Sequence, residues 1–483
     1  MSLAACGEST HVSAPGRASE AAALPTFTRG TGGTEGAGAD GSAVAVASPT
    51  PVPVAPTGCL TSPRALQRFF AHLAALDDRS AIHDVRIAWF GDSHTAADYE
   101  TGPVRRALQS RFGDGGRGFV ALGSPWKNYV QEGVRNVSSA SWTTSKSRVS
   151  DGSPLGDGVF GLAGVALTSD VVGARLSTEL LVDANEFEIA YMEHSAGGSF
   201  DVIVDGKRVD RVTTRGATRD GARHSTAKSW PIDPGPHRVD VRVVGDGSVR
   251  IFGMSSGVAR NGLVLSALGI NGARVSSPLG WNETSFAEDL RRADPHLVVL
   301  AYGTNEATDD TPLATHEKNL VDALGKIARA VPSASCLLVG PPDHSVSTRG
   351  GWSTPERLQA IAAVQKRVAE AAGCGFYSQL DAMGGPGSMA RWASESPPRG
   401  GRDHVHLTKA GYAALANAFV HDLLLAYASW RLDEGLSPST LGAPREGIAK
   451  EPKGTLRIDR GNGRRLGVHT SAVRAKKKVV EAR

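Results

Sequence analysis

The chain is short of the features that assign a class at a glance. It has four cysteines in 483 residues, Cys6, Cys59, Cys336 and Cys374, and none stand at the close paired spacings of a zinc site. Cys336 and Cys374 each open an expected strand, and two small buried thiols are the expectation there, with a disulfide between them as the alternative. No apolar run reaches about 18 residues, so no segment reads as a membrane-spanning helix. The formal charge is only +4, too little to imply nucleic acid or another polyanion as the partner of the whole protein. That charge is uneven. From Pro444 onward twelve lysines and arginines face four acids, which leaves the remainder mildly acidic.

Both ends lack an apolar period. Residues 1–58 are dominated by Gly, Ala, Ser, Thr and Pro and end in "SPTPVPVAPTG", a tether composition that cannot bury a core. The opening "MSLAAC" resembles a bacterial lipobox with Cys6 as the lipid-modified residue, although the charged and apolar regions of a signal peptide do not precede it. A lipid anchor and tether would suit an exported protein of the periplasm or cell envelope. Residues 433–483, ending "RAKKKVVEAR", read as a solvated basic tail.

Between the ends, hydrophobic residues, 40% of the whole, are enough for sizeable cores. Ser62 and Pro63 suit the cap and first position of a helix carrying Leu66, Phe69, Phe70, Leu73 and Leu76. "VRIAWF" (85–90) is a short continuous apolar run, as in a strand buried on both faces, and helical spacing resumes through Val104, Leu108 and Phe112. From 134 to 258 the pattern alternates instead. "FEIAYM", "SFDVIVDGKRV", "HRVDVRVV" and "SVRIFGM" read as half-buried strands, with Asp205-Gly206 and Gly245-Asp246-Gly247 as hairpin turns. After 259 strands at 263–270, 296–303, 336–342 and 375–381 alternate with helices at 315–330, 354–373 and 408–427. The fold class is therefore α/β: a parallel sheet flanked by helices, formed by 59–133 and 259–432, with an inserted all-β jelly-roll or sandwich domain at 134–258. The insert is either a packing platform or a ligand-binding module.

Four short stretches carry the chemistry. In "FGDSH", Ser93 follows a buried strand and Gly-Asp, which is turn chemistry unless a base faces it. "RDHVHLTKAGY" supplies that base: Asp403 and His406, three apart at the mouth of the final helix, are expected to share a face of a helical turn, while His404 points elsewhere. The aspartate would fix the imidazole tautomer and His406 would take the serine proton. "YGTNEA" places Asn305, and "GINGA" places Gly272, at the carboxyl ends of two further strands of the same sheet. The Asn305 amide and the backbone N–H groups of Gly272 and Ser93 would then make an oxyanion hole.

These four blocks, in this order, resemble those of the SGNH (GDSL-type) hydrolases. The resemblance covers roughly 85–130 and 260–430 and implies Ser93, Asp403 and His406 as a triad, with Ser93, Gly272 and Asn305 as oxyanion donors. His94 stands where the family's usual block has leucine. Gly-Asp-Ser-His with a β-rich insert is similar to bacterial peptidoglycan O-acetylesterases, which implies an acetylated glycan, N-acetylmuramic acid of peptidoglycan foremost, as substrate. No cofactor or metal is called for. A metal held by His94, Asp98 and either His404 or Asp343 is the lesser reading, since no regular spacing unites them. Asp92 is expected to brace the turn, and Asp343-His344 to be solvated. The competing functions are an acyltransferase, whose usual membrane-spanning donor domain is missing from the sequence, a lipase or thioesterase, for which no apolar lid segment is seen, and a non-catalytic polysaccharide-binding lipoprotein.

Overall fold

The computed structural model describes residues 58–127, 129–147, 156–216, 224–258 and 260–437. Cys6, the rest of the expected tether before 58 and the tail from 438 lie outside them.

Six strands form one sheet, in the order Leu60–Thr61, Gly375–Ser378, Ser335–Gly340, Leu297–Ala301, Val85–Gly91, Leu263–Gly269. All neighbours are parallel except Leu60–Thr61, an antiparallel edge too short to leave a pattern in the sequence. Successive side chains in a strand point to opposite faces, so both faces of this sheet are apolar and each needs a helical cover. Ile87 and Trp89 face a core with Phe69, Phe70, Leu108, Phe419 and Tyr427 from helices Gln67–Asp77, Thr101–Phe112 and Lys409–Asp433. Ala88 and Phe90 face the other core, with Phe286, Leu320, Ile327 and Val364 from helices Glu283–Ala293, Leu313–Ala330 and Glu356–Ala372. Gly373, at φ 70°, ends the last of these helices, a conformation that glycine adopts without a Cβ clash.

Val85–Gly91, the first of the parallel strands, lies between the second and the third. Chain order reverses there, and a crevice opens at the carboxyl ends of the strands. Register brings Gly91, Gly269 and Ala301 side by side, so the loops that follow these three strands start as neighbours.

Among the described residues, a separate antiparallel sheet of nine strands is formed entirely by residues between these first two parallel strands. Its two longest members, Arg175–Glu193 and His224–Val243, pair along most of their length with register shifts between Pro231 and His237. They contribute to a core of Leu176, Phe187, Ile189, Phe200, Val241 and Ile251. Asp205-Gly206 forms the expected two-residue hairpin, since Val204 pairs with Lys207. Gly245-Asp246-Gly247 does not. The strands on either side of it pair with others, and it carries the chain across the sheet, with Asp246 accepting from the Ser199 backbone N–H at 2.6 Å. Gly118–Val120 pairs with Val249–Gly257, so this sheet also draws on residues before 134.

Two local expectations are corrected. Ser62 adopts φ 53° and makes no capping bond; Pro63–Leu66 is a 3₁₀ turn and the α-helix starts at Gln67. Cys336 and Cys374 are a disulfide rather than two thiols. The reason is register: Leu337 pairs with Gly375 in adjacent parallel strands, which sets the two preceding residues side by side, with Cα atoms 4.9 Å apart.

Candidate active site

Ser93 opens a one-turn helix two residues beyond Val85–Gly91. The turn is sharp because Asp92 caps it, its Oδ1 accepting from the His94 N–H at 3.0 Å. It also lies flat on the strand ends. A Cβ on Gly91 would stand 2.1 Å from Thr95 Oγ1, and one on Gly269 would stand 2.3 Å from the Ala96 nitrogen. These two glycines let the serine turn sit at the crevice, and the expected bracing role of Asp92 is what its bond performs.

His406 Nε2 lies 2.9 Å from Ser93 Oγ, and His406 Nδ1 lies 2.7 Å from Asp403 Oδ2. The stretch joining Asp403 to His406 is not helical, contrary to expectation. Asp403 Oδ1 accepts from the backbone N–H groups of Val405 and His406 at 3.1 and 2.9 Å, which folds a tight turn, and His404 sits at φ 54°. The helix begins only at Lys409, capped by Thr408. The turn is pinned at both ends, Gly401 N–H donating to the His406 carbonyl at 2.7 Å and Ser345 N–H to the His404 carbonyl at 2.8 Å. Partial burial pushes the Asp403 carboxyl up, but the bonds from the His406 ring and the two backbone N–H groups outweigh it and hold it below the usual range. An ionised Asp403 accepts the Nδ1 proton, so the Nε2 lone pair faces the serine hydroxyl. This arrangement can deprotonate Ser93 as it attacks a carbonyl.

Gly272, at φ 75°, follows the Leu263–Gly269 strand, and Asn305 follows Leu297–Ala301. One Asn305 amide hydrogen donates to the Ala273 carbonyl at 2.8 Å, tying the two loops together and leaving the second hydrogen free of that contact. Sequence reasoning passed over Glu306. Its carboxylate accepts from Val275 N–H at 2.8 Å and from Gly303 N–H at 3.1 Å, so one buried side chain holds the Gly272 and Asn305 loops in register. The single charged residue of the block "YGTNEA", directly after Asn305, is the signal that could have found it.

Several other polar residues of the region have partners of their own. His94 is buried, its Nδ1 bonded to Tyr412 Oη at 3.0 Å and its ring centroid 5.2 Å from that of His406. Burial, then the neighbouring His406 and His344, lowers its pKa to about 3, so it packs against the His406 ring as a neutral group. Asp98 accepts from Arg105 at 2.6 Å and Arg117 at 2.8 Å and has no room for the metal role weighed for it. Asp343 and His344 are buried rather than solvated, Asp343 accepting from Met389 N–H at 2.8 Å and Thr354 Oγ1 at 2.6 Å. Among the described residues, His72, His83 and His296 are close enough together to hold a metal. They lie toward the opposite, amino-terminal ends of the parallel strands. His296 Nδ1 already accepts from Arg86 N–H at 3.1 Å, which keeps the proton on Nε2 and removes that lone pair.

Glu100, behind the serine turn, accepts from the Gln379 side chain. Burial, then the charge of Asp92, raises its pKa to about 8. The folded chain therefore holds a proton that the unfolded chain releases near the ordinary carboxylate value, about 4.3. The resulting stabilisation is full below that value and is lost as pH rises toward 8. Glu100→Gln is expected to flatten the decline of Tm between about pH 5 and pH 8 in thermal melts. Parallel wild-type and variant curves would show that Glu100 is not the group that titrates.

Residues 253–414 match the GDSL-like Lipase/Acylhydrolase family. That match takes in Gly272, Asn305, Asp403 and His406 and begins after Ser93. Among solved structures, a peptidoglycan O-acetylesterase is similar at 25% identity and a TM-score of 0.65, over 77% of this chain and 100% of that one. A family two carbohydrate esterase from Cellvibrio japonicus is similar at 14% identity over 62% of this chain and 98% of that one, with a TM-score of 0.26. Among curated protein sequences none matches.

Proposed function

We propose that this chain, an SGNH-type carboxylic ester hydrolase with a GDSL-like acylhydrolase domain and an esterase of carbohydrate, removes O-acetyl groups from a cell-envelope polysaccharide, N-acetylmuramic acid of peptidoglycan first among them. The observation that carries the substrate is the likeness to a peptidoglycan O-acetylesterase along the whole of that chain. In this reading Ser93 Oγ attacks the acetyl carbonyl while His406 Nε2 takes its proton. The oxyanion of the tetrahedral intermediate is met by the N–H groups of Ser93 and Gly272 and by the free amide hydrogen of Asn305. The imidazolium, held by Asp403, then protonates the departing sugar oxygen. Water, deprotonated by the same ring, releases acetate from the acetyl-serine.

Hydrolysis rather than transfer is supported by exposure. The side chains of His406 and Asp403 are 45% and 53% accessible, so water reaches the acyl-enzyme. An exported location is supported by the Cys336–Cys374 bond, because disulfides persist mainly in oxidising compartments. Anchoring through Cys6 belongs to the same proposal.

The test is acetate release from O-acetylated peptidoglycan, with acetylated xylan in parallel and Ser93→Ala as the control. Faster serine-dependent release from peptidoglycan is the expected result. Equal or faster release from xylan would overturn the substrate, and no release from either would overturn the deacetylase reading.

A further inference from the structure

Beside the triad is an aromatic surface that the mechanism does not use. Val346–Thr348 and Gly351–Ser353 form a two-stranded hairpin in which all six residues are exposed. A hairpin this small has no core of its own, yet it carries Trp352, 48% accessible. The indole is not loose. Its ring lies on that of His404, centroids 3.7 Å apart and planes 10° from parallel. His404 directly follows Asp403, two residues before His406, and stands at φ 54°.

The hairpin's base is fixed to the same turn. Ser345, just before it, donates to the His404 carbonyl at 2.8 Å. Thr354, just after it, donates to buried Asp343 at 2.6 Å and accepts from Gly387 N–H at 2.7 Å. A large apolar ring is thus held flat against His404, two residues before His406, and stays 48% accessible.

A flat, supported and accessible indole suits one ligand chemistry well. A pyranose ring presents a face of C–H groups with its hydroxyls around the rim, and that face stacks on an aromatic plane while the rim stays in water. We propose that Trp352, backed by His404, is the floor of a sugar subsite that holds a pyranose of the acetylated glycan next to Ser93 and His406. This rests on the reading of the protein as a glycan deacetylase. Trp352 acts by holding substrate and takes no part in bond making.

Two substrates separate its role from damage to the triad: O-acetylated glycan, and 4-nitrophenyl acetate, which has no sugar. Trp352→Ala is expected to lower the ratio of the two kcat/KM values, glycan over small ester, about tenfold, mostly through KM for glycan. Trp352→Phe, which keeps a flat ring, is expected to restore most of that ratio. An unchanged ratio would overturn the subsite, and so would an equal fall on both substrates, which would make Trp352 a prop for the catalytic turn. If the wild type releases acetate from no glycan, the deacetylase reading fails on its own account. The subsite is then judged by binding of an N-acetylglucosamine oligosaccharide to Ser93→Ala and to Ser93→Ala/Trp352→Ala. About tenfold weaker binding by the double variant supports it; equal binding, or no binding by either, overturns it.

Discussion

Ser93→Ala is expected to lower turnover of any acetyl ester by roughly 10⁴- to 10⁶-fold, the range set by removing the nucleophile of a serine hydrolase. The variant should fold. Alanine is favoured in a helical turn, Asp92 still caps the His94 N–H, and the glycines that admit the turn are untouched. Ser93 Oγ is 2.9 Å from His406 Nε2, so the pair should act as one unit, and adding His406→Ala to Ser93→Ala should cost almost nothing further. What activity remains would come from the proposed oxyanion donors, the Gly272 N–H and the Asn305 amide among them, polarising the ester for direct attack by water. Burst kinetics with 4-nitrophenyl acetate provide the check: the wild type should release a rapid stoichiometric phase as the acetyl-serine forms, and the variant should show none. Additive losses in the double variant would mean that His406 does not serve Ser93.

The second large effect belongs to Asp403→Asn, with a fall in kcat of about 10³- to 10⁴-fold and little change in KM. The substitution is nearly isosteric and keeps an oxygen to accept from the Val405 and His406 N–H groups, so the turn survives. What changes is the atom facing His406 Nδ1, 2.7 Å away in the wild type. An amide nitrogen there donates, and the ring answers by carrying its proton on Nε2. That tautomer points a hydrogen at Ser93 and cannot accept one. Because the Asp403 side chain is 53% accessible, water can compete for Nδ1, which favours the lower end of the range. A loss below about tenfold would assign the orientation of His406 to the backbone turn instead.

Asp403 and Asp92 bend the pH response of the wild type in opposite directions. Asp403 titrates below its ordinary value, so its contribution is present above that value and lost as pH falls through the folded one. Asp92, raised to about 6 chiefly by burial, binds its proton more tightly in the folded state and favours folding most at low pH. The serine turn is thus braced by a buried acid whose ionisation costs stability, one reason to expect it to be less stable than the strands beneath it.

What the amino-acid sequence determined by itself was whatever is local or periodic. Continuous apolar runs marked the parallel strands, because a strand buried on both faces has no polar side to show. The residues just after those runs named Ser93, Gly272 and Asn305, because a parallel sheet presents its carboxyl ends together, and the alternating stretch marked the antiparallel sheet. The tertiary structure decided what depends on partners far away in the chain. Asp403 and His406 are joined by a turn rather than a helix, since backbone N–H groups reach the carboxylate first. Cys336 and Cys374 meet because two parallel strands share a register that no spacing records. Glu306 matters through two N–H groups on separate loops, and Trp352 through a ring 52 residues away. Side-chain type and period are written along the chain, whereas register, burial and stacking come from packing chain against chain, and these last decide how the groups named by the sequence face one another.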